Sequence, residues 1–124
     1  MEDSILDSVK NSLGINKEIT AFDQEIIMII NSTFSTLNQV GVESSNDTYR
    51  ISGSDDKWED LFDNDDVLTD LIKEYTCLKV RIIFDPPSSS YVLDAIKAQA
   101  QELEWRINIQ AETKDETEGG VVDE

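Results

Sequence analysis

The 124-residue sequence contains no histidine, so a serine or cysteine nucleophile has no imidazole base to activate it. It contains one cysteine, Cys77, which rules out an internal disulfide framework and leaves zinc without a ligand set. A single thiol also fits synthesis in a reducing compartment. The five glycines are scattered at positions 14, 41, 53, 119 and 120, and no phosphate-cradling loop can be built from them. The longest apolar run, Ile26 to Ile30, is far too short to cross a bilayer. The opening Met1-Glu2-Asp3-Ser4 is acidic where an export signal would be basic. Asn31-Ser32-Thr33 and Asn46-Asp47-Thr48 match the glycosylation sequon and, without a secretory route, read as chance.

Bases are scarce as well: ten lysines and arginines stand against 27 acids, for a net charge of −17. This balance argues against an overall basic surface for nucleic acid. The acids are unevenly placed. Residues 43–70 carry ten acids and two bases, and residues 110–124 carry six acids and one base. These stretches read either as solvated loops or as an acidic surface that repels DNA or meets a basic partner. Phosphate contacts dominate nonspecific affinity, so repulsion matters wherever DNA must slide past. The acidic candidates for such a surface are Asp55, Asp56, Asp63, Asp65 and Asp66.

What is present is helical periodicity. A first helix is expected from Ser4 to Leu13, with Ile5, Leu6, Val9 and Leu13 in one stripe. Ser4 serves as N-cap with Asp7 three positions on, and Gly14 follows the end. A second runs from Thr20 to Val40 through Phe22, Ile26, Ile29, Ile30, Phe34, Leu37 and Val40, and Gly41 ends it. Ile27 and Met28 widen its apolar face toward a second neighbour. A third is expected from Asp65 or Asp66 to Phe84, with Val67, Leu68, Leu71, Ile72, Tyr75, Leu78 and Ile82 inward. Asp85-Pro86-Pro87 stops it. A fourth runs from Ser88 or Ser89 to Ile109 on Val92, Ala95, Ile96, Ala100, Leu103 and Ile107.

Between the second and third helices, residues 43–64 form an irregular insert. Tyr49-Arg50-Ile51 could carry a short β segment, and Trp58 to Phe62 has the spacing of one or two helical turns. The expected fold is an all-α bundle of about four helices spanning 1–109, followed by a disordered acidic tail over 110–124.

Candidate chemistry is thin. Cys77 lies beside an apolar stripe and reads as a packed thiol. Asp63-Asn64-Asp65-Asp66 could attract calcium but lacks the EF-hand glycine and terminal glutamate, and helix capping accounts for part of it. Nothing nominates a catalytic carboxylate pair. The aromatics are more informative. Trp58, Leu61 and Phe62 sit in an acidic insert and suit either a contact between chains or the folding of the insert back onto its own domain. Trp105 suits core or edge packing and is kept, with Ile27 and Met28, as a further interface candidate.

The order of these pieces resembles a known family. An opening helix ends in Ser12-Leu13-Gly14-Ile15, and a long apolar helix ends in Gly41-Val42. After the insert comes a helix ending Lys79-Val80-Arg81-Ile82-Ile83-Phe84-Asp85-Pro86-Pro87, and the last helix contains Leu103-Glu104-Trp105-Arg106-Ile107. Over residues 4–109 this is similar to the head–tail connector (head-completion, adaptor) proteins of tailed bacteriophages, in the branch common in phages of Gram-positive bacteria. The resemblance implies a structural subunit, not an enzyme, with no cofactor. It implies a closed ring of about a dozen copies in the virion neck, made in the host cytoplasm. The ring would dock on the portal protein, extend the DNA channel without sequence-specific binding, and present a surface to the next head-completion or tail protein. The rival reading is an acidic DNA mimic of the anti-restriction type. Against it, the acids cluster in the insert and tail instead of lining the long helices.

Overall fold

A computed structural model describes residues 4–42, 50–62 and 66–120, with backbone alone at residue 66 and residues 113–120. Five helices follow one another: α1 (Ile5–Ser12), α2 (Asp23–Gln39), α3 (Trp58–Leu61), α4 (Asp66–Phe84) and α5 (Ser90–Gly120). There is no strand among the described residues. A lone antiparallel bridge pairs Ser4 with Lys57. The α4–α5 pair forms the most extensive contact, and α2 packs on α4, with α1 closing the remaining side of α4.

Local chemistry sets most boundaries. Ser4 Oγ accepts from the Asp7 N–H at 3.2 Å and caps α1. Gly14 and Gly41 terminate their helices with φ of +80° and +105°, a region in which a Cβ is strained. Ser89 Oγ accepts from the Val92 N–H at 3.3 Å and starts α5 directly after the Pro86-Pro87 break.

Two boundaries depart from the apolar pattern, and each departure has a tertiary cause. Helix α2 begins at Asp23, three residues later than Thr20. The fully buried Lys10 ammonium holds the preceding loop out of the helix. It donates to the carbonyls of Lys17 at 3.0 Å and Ile19 at 2.6 Å, and stands 2.8 Å from Asp23 Oδ1. Two of its protons are thus taken by loop carbonyls, and its charge is met by Asp23, whose Oδ1 is buried and has no hydrogen-bond partner among the described residues. At the other end, α5 does not stop at Ile109 but continues to Gly120. Asn108 Nδ2 donates to the Val40 carbonyl at 2.8 Å, filling an acceptor that the end of α2 leaves open. Ala111 is buried one turn further on. Residues 110–112 therefore belong to the packed helix, not to a tail. Residues 121–124 lie outside the described residues.

The core joins α1 (Ile5, Leu6, Val9), α2 (Ile26, Ile30, Phe34, Leu37), α4 (Leu68, Ile72, Tyr75, Val80) and α5 (Ala100, Leu103, Ile107). Most of each expected stripe is inside. Val67 is the exception on α4, at 58 % exposed, while Thr76 is buried and back-bonds to the Ile72 carbonyl at 2.8 Å. In the first two turns of α5, Val92 and Ala95 face out while Leu93 and Ile96 are half-buried.

Candidate assembly surface

The insert folds inward. Trp58, Leu61 and Phe62 are each at most 2 % exposed. Phe34 of α2 receives both aromatic rings edge to face, Phe62 with centroids 5.1 Å apart and Trp58 at 6.2 Å. The Trp58 indole N–H donates to Ser8 Oγ at 3.3 Å, tying α3 to α1. The preceding loop is clamped by polar side chains. Asn31 accepts from the Ile51 N–H at 2.7 Å and donates to the Ile51 carbonyl at 3.1 Å, so an α2 amide does what a neighbouring strand would do. The short β segment expected around Ile51 is replaced by this contact, with Tyr49 outside the described residues. Asp56 Oδ2 accepts from the Ser52 and Gly53 N–H groups at 2.8 and 3.4 Å.

Of the two readings of Trp58, Leu61 and Phe62, these contacts favour packing on their own domain and correct the assignment of the three as a contact between chains. The three side chains fill the gap between α1 and α2, and reaching them from outside would require opening the core. Ile27 is likewise buried, at 8 % exposed. Of the interface candidates, Met28 and Trp105 remain on the surface, at 68 % and 64 % exposed. Among the acidic candidates, Asp55 is exposed, Asp56 is engaged in its loop and Asp66 opens α4; Asp63 and Asp65 lie outside the described residues.

Two exposed side chains missed by apolar periodicity join Trp105. Tyr91 is 84 % exposed and Ile109 40 %. At roughly 100° per residue, Tyr91, Trp105 and Ile109 fall within about 40° of one another, whereas Leu103 and Ile107 lie about 120–160° from Tyr91. Exposed Ala95 and Ala98 lie on the same outer line, which the exposed carboxylate of Glu102 interrupts between Ala98 and Trp105. Helix α5 therefore carries two apolar edges, one packed on α4 and one bare. The signal was in the sequence: three large apolar residues at positions 91, 105 and 109 that the inward stripe does not use.

A shallow groove of about 220 Å³ runs between α4 and α5, lined by Tyr75, Lys79, Ile82, Lys97, Ala100 and Glu104 among others. The Tyr75 hydroxyl donates to Glu104 Oε2 at 3.4 Å. Burial first, then the charge of Glu104 and this hydrogen bond, pushes the Tyr75 hydroxyl up to about 12, so it remains a neutral donor at any physiological pH. Burial likewise raises the Cys77 thiol, partly offset by a hydrogen bond from Ser12 and reinforced by nearby Glu74. This is the environment of an unreactive packed cysteine. Among the described residues, no group of three or more acids and cysteines is placed to hold a metal ion. No helix among them is long and apolar enough to cross a membrane.

A family model described as phage connector protein matches residues 5–114. The match runs from the first residue of α1 almost to the end of α5, so the chain belongs to the phage connector family. No curated protein and no solved structure matches it. Membership assigns a structural head–tail connector role and a place in the virion neck.

Proposed function

We propose that this connector subunit joins copies of itself into a ring on the portal through the outer face of α5. The observation that carries the reading is the bare apolar edge of Tyr91, Trp105 and Ile109 on the longest helix of a connector-family chain. Exposed aromatics of this kind supply most of the free energy at contacts between proteins. Met28, and Ile83 at 57 % exposed, are secondary contributors on other faces. A subunit with one such edge and a different receiving surface forms a heterologous contact, which closes into a ring when its rotation allows.

The acidic insert, with Asp55, Asp63, Asp65 and Asp66, provides the wall past which DNA slides without sticking, since like charge removes the phosphate contacts that hold DNA nonspecifically. The free ring then offers its far side to the next head-completion or tail protein. The anti-restriction reading gains nothing from the fold: residues 71–109, which make up most of the long α4–α5 hairpin, hold five acids and five bases and offer no phosphate-like row.

The test is assembly of the purified chain on portal-bearing capsids, followed by electron microscopy of the necks. The parent should add a ring below the portal, and Tyr91→Ala with Trp105→Ala should abolish it while the isolated subunit keeps its helical signal. Rings of equal occupancy with both chains would refute the assignment of this face.

A further inference from the structure

The α4–α5 groove stands out by charge. In a chain of net −17, it places Lys79 and Lys97 on one lining beside Ile82 and Ala100. Neither lysine lies within ion-pair distance of a carboxylate among the described residues. Lys79 rests 5.9 Å from the centroid of the Tyr75 ring, a cation–π contact that holds it at the groove without neutralising it. Glu104, the acid of the lining, already accepts from the Tyr75 hydroxyl. With two ammonium groups against the single carboxylate of Glu104 around an apolar floor, the groove suits a short segment with apolar side chains and adjacent carboxylates.

The chain itself contains such a segment. Gly119-Gly120, the end of α5, is followed by Val121, Val122, Asp123 and Glu124: two small apolar side chains and two acids. We propose that residues 121–124 of one copy occupy the α4–α5 groove of a neighbouring copy, with the valines against Ile82 and Ala100 and the carboxylates on Lys79 and Lys97. Reach decides that the contact is between copies. Helix α5 carries the chain roughly 28 Å from Gln101 to Gly120 at about 1.5 Å per residue. Four further residues extend at most about 14 Å, so they cannot return to their own groove. The inference rests on the ring reading for its setting, but the groove and the segment are separate from the outer face of α5.

Charge exchange tests it. In the full chain, Lys79→Glu with Lys97→Glu should weaken self-association on sedimentation by several-fold to tenfold, and Asp123→Lys with Glu124→Lys should do the same. A chain carrying all four changes should recover most of the parent's association. Independent effects that simply accumulate in the fourfold variant would overturn the proposal. So would association unchanged in both double variants. Should the α4 change disturb folding, Lys97→Glu alone keeps the test open, since Lys97 is exposed and makes no ion pair among the described residues. A labelled peptide of residues 112–124, titrated into the full chain, separates this idea from the ring. Saturable, salt-sensitive binding lost in the lysine variants supports the groove even if no ring forms on portals. Normal rings together with no peptide binding refute the groove and leave the ring standing.

Discussion

The two tryptophans occupy opposite situations, and their exchange of expected places is instructive. Trp58 lies in a short, acidic, irregular insert and is 1 % exposed, while Trp105 lies in a long regular helix and is 64 % exposed. The insert has few apolar residues, and every large one near Trp58 turns inward because a four-residue helix is stable only when packed. Helix α5 owes its stability to its length and to one buried edge, so its opposite edge is free to carry aromatic residues for another purpose. An aromatic in an acidic loop is thus better read as an anchor for that loop, and an aromatic off the stripe of a strong helix as an available contact.

The sharpest way to break this comparison is to remove each indole in turn. Trp58→Ala should cost about 3–5 kcal/mol of stability, seen as a large fall in the thermal or denaturant midpoint. Trp105→Ala should change stability by no more than about 0.5 kcal/mol while lowering assembly. Equal stability losses from the two would dissolve the contrast. Next in size is Lys10→Met. It removes the donor for two loop carbonyls and the ion partner of Asp23, and should cost about 1–3 kcal/mol on chemical denaturation.

A smaller effect concerns the alkaline limb. The folded Tyr75 hydroxyl ionises near 12 against an ordinary value of 10.0. A group raised in this way contributes stability that is complete below pH 10 and is lost as pH rises from there through 12. Cys77, also raised, acts in the same direction from nearer its ordinary 9.0. Tyr75→Phe should therefore flatten the decline of stability above pH 10 and leave the earlier part due to Cys77. An unchanged slope would mean that Tyr75 is neither buried nor coupled to Glu104 in solution. The smallest effect is expected at Asp55, exposed on the insert. Asp55→Lys should leave stability within about 0.5 kcal/mol of the parent and raise salt-sensitive DNA retention by a few-fold on filter binding.

The parts of the fold readable from sequence were those set by neighbouring residues. Ser4 with Asp7, Gly14, Gly41 and Asp85-Pro86-Pro87 place helix ends through local backbone chemistry, and the structure follows them. The inward stripes of α1, α2 and α4 follow from 3.6-residue spacing and were legible almost whole. What escaped depended on residues far apart in the chain. Lys10 interrupts an apolar stripe, and only the fold reveals that Lys17, Ile19 and Asp23 converge on it. Asn31 gives no hint of Ile51, twenty positions away. The reach of α5 beyond Ile109 depends on Asn108 meeting the end of α2, although Glu112 to Glu118 have no apolar rhythm to show it. The candidate surface is half legible: Met28 and Trp105 stand out as apolar residues off a packed stripe, whereas the exposure of Tyr91 and Ile109 depends on which side of α5 meets α4.

The outer edge of α5 can be probed without removing any of its anchors. Ala98 is exposed on the line between Tyr91 and Trp105, and the native thiol at Cys77 is half-buried and held toward its protonated form by that burial. An Ala98→Cys chain should react with a maleimide readily when free and at least tenfold more slowly once assembled on portal-bearing capsids. Equal labelling rates in the two states would place this edge outside every subunit contact and contradict the account.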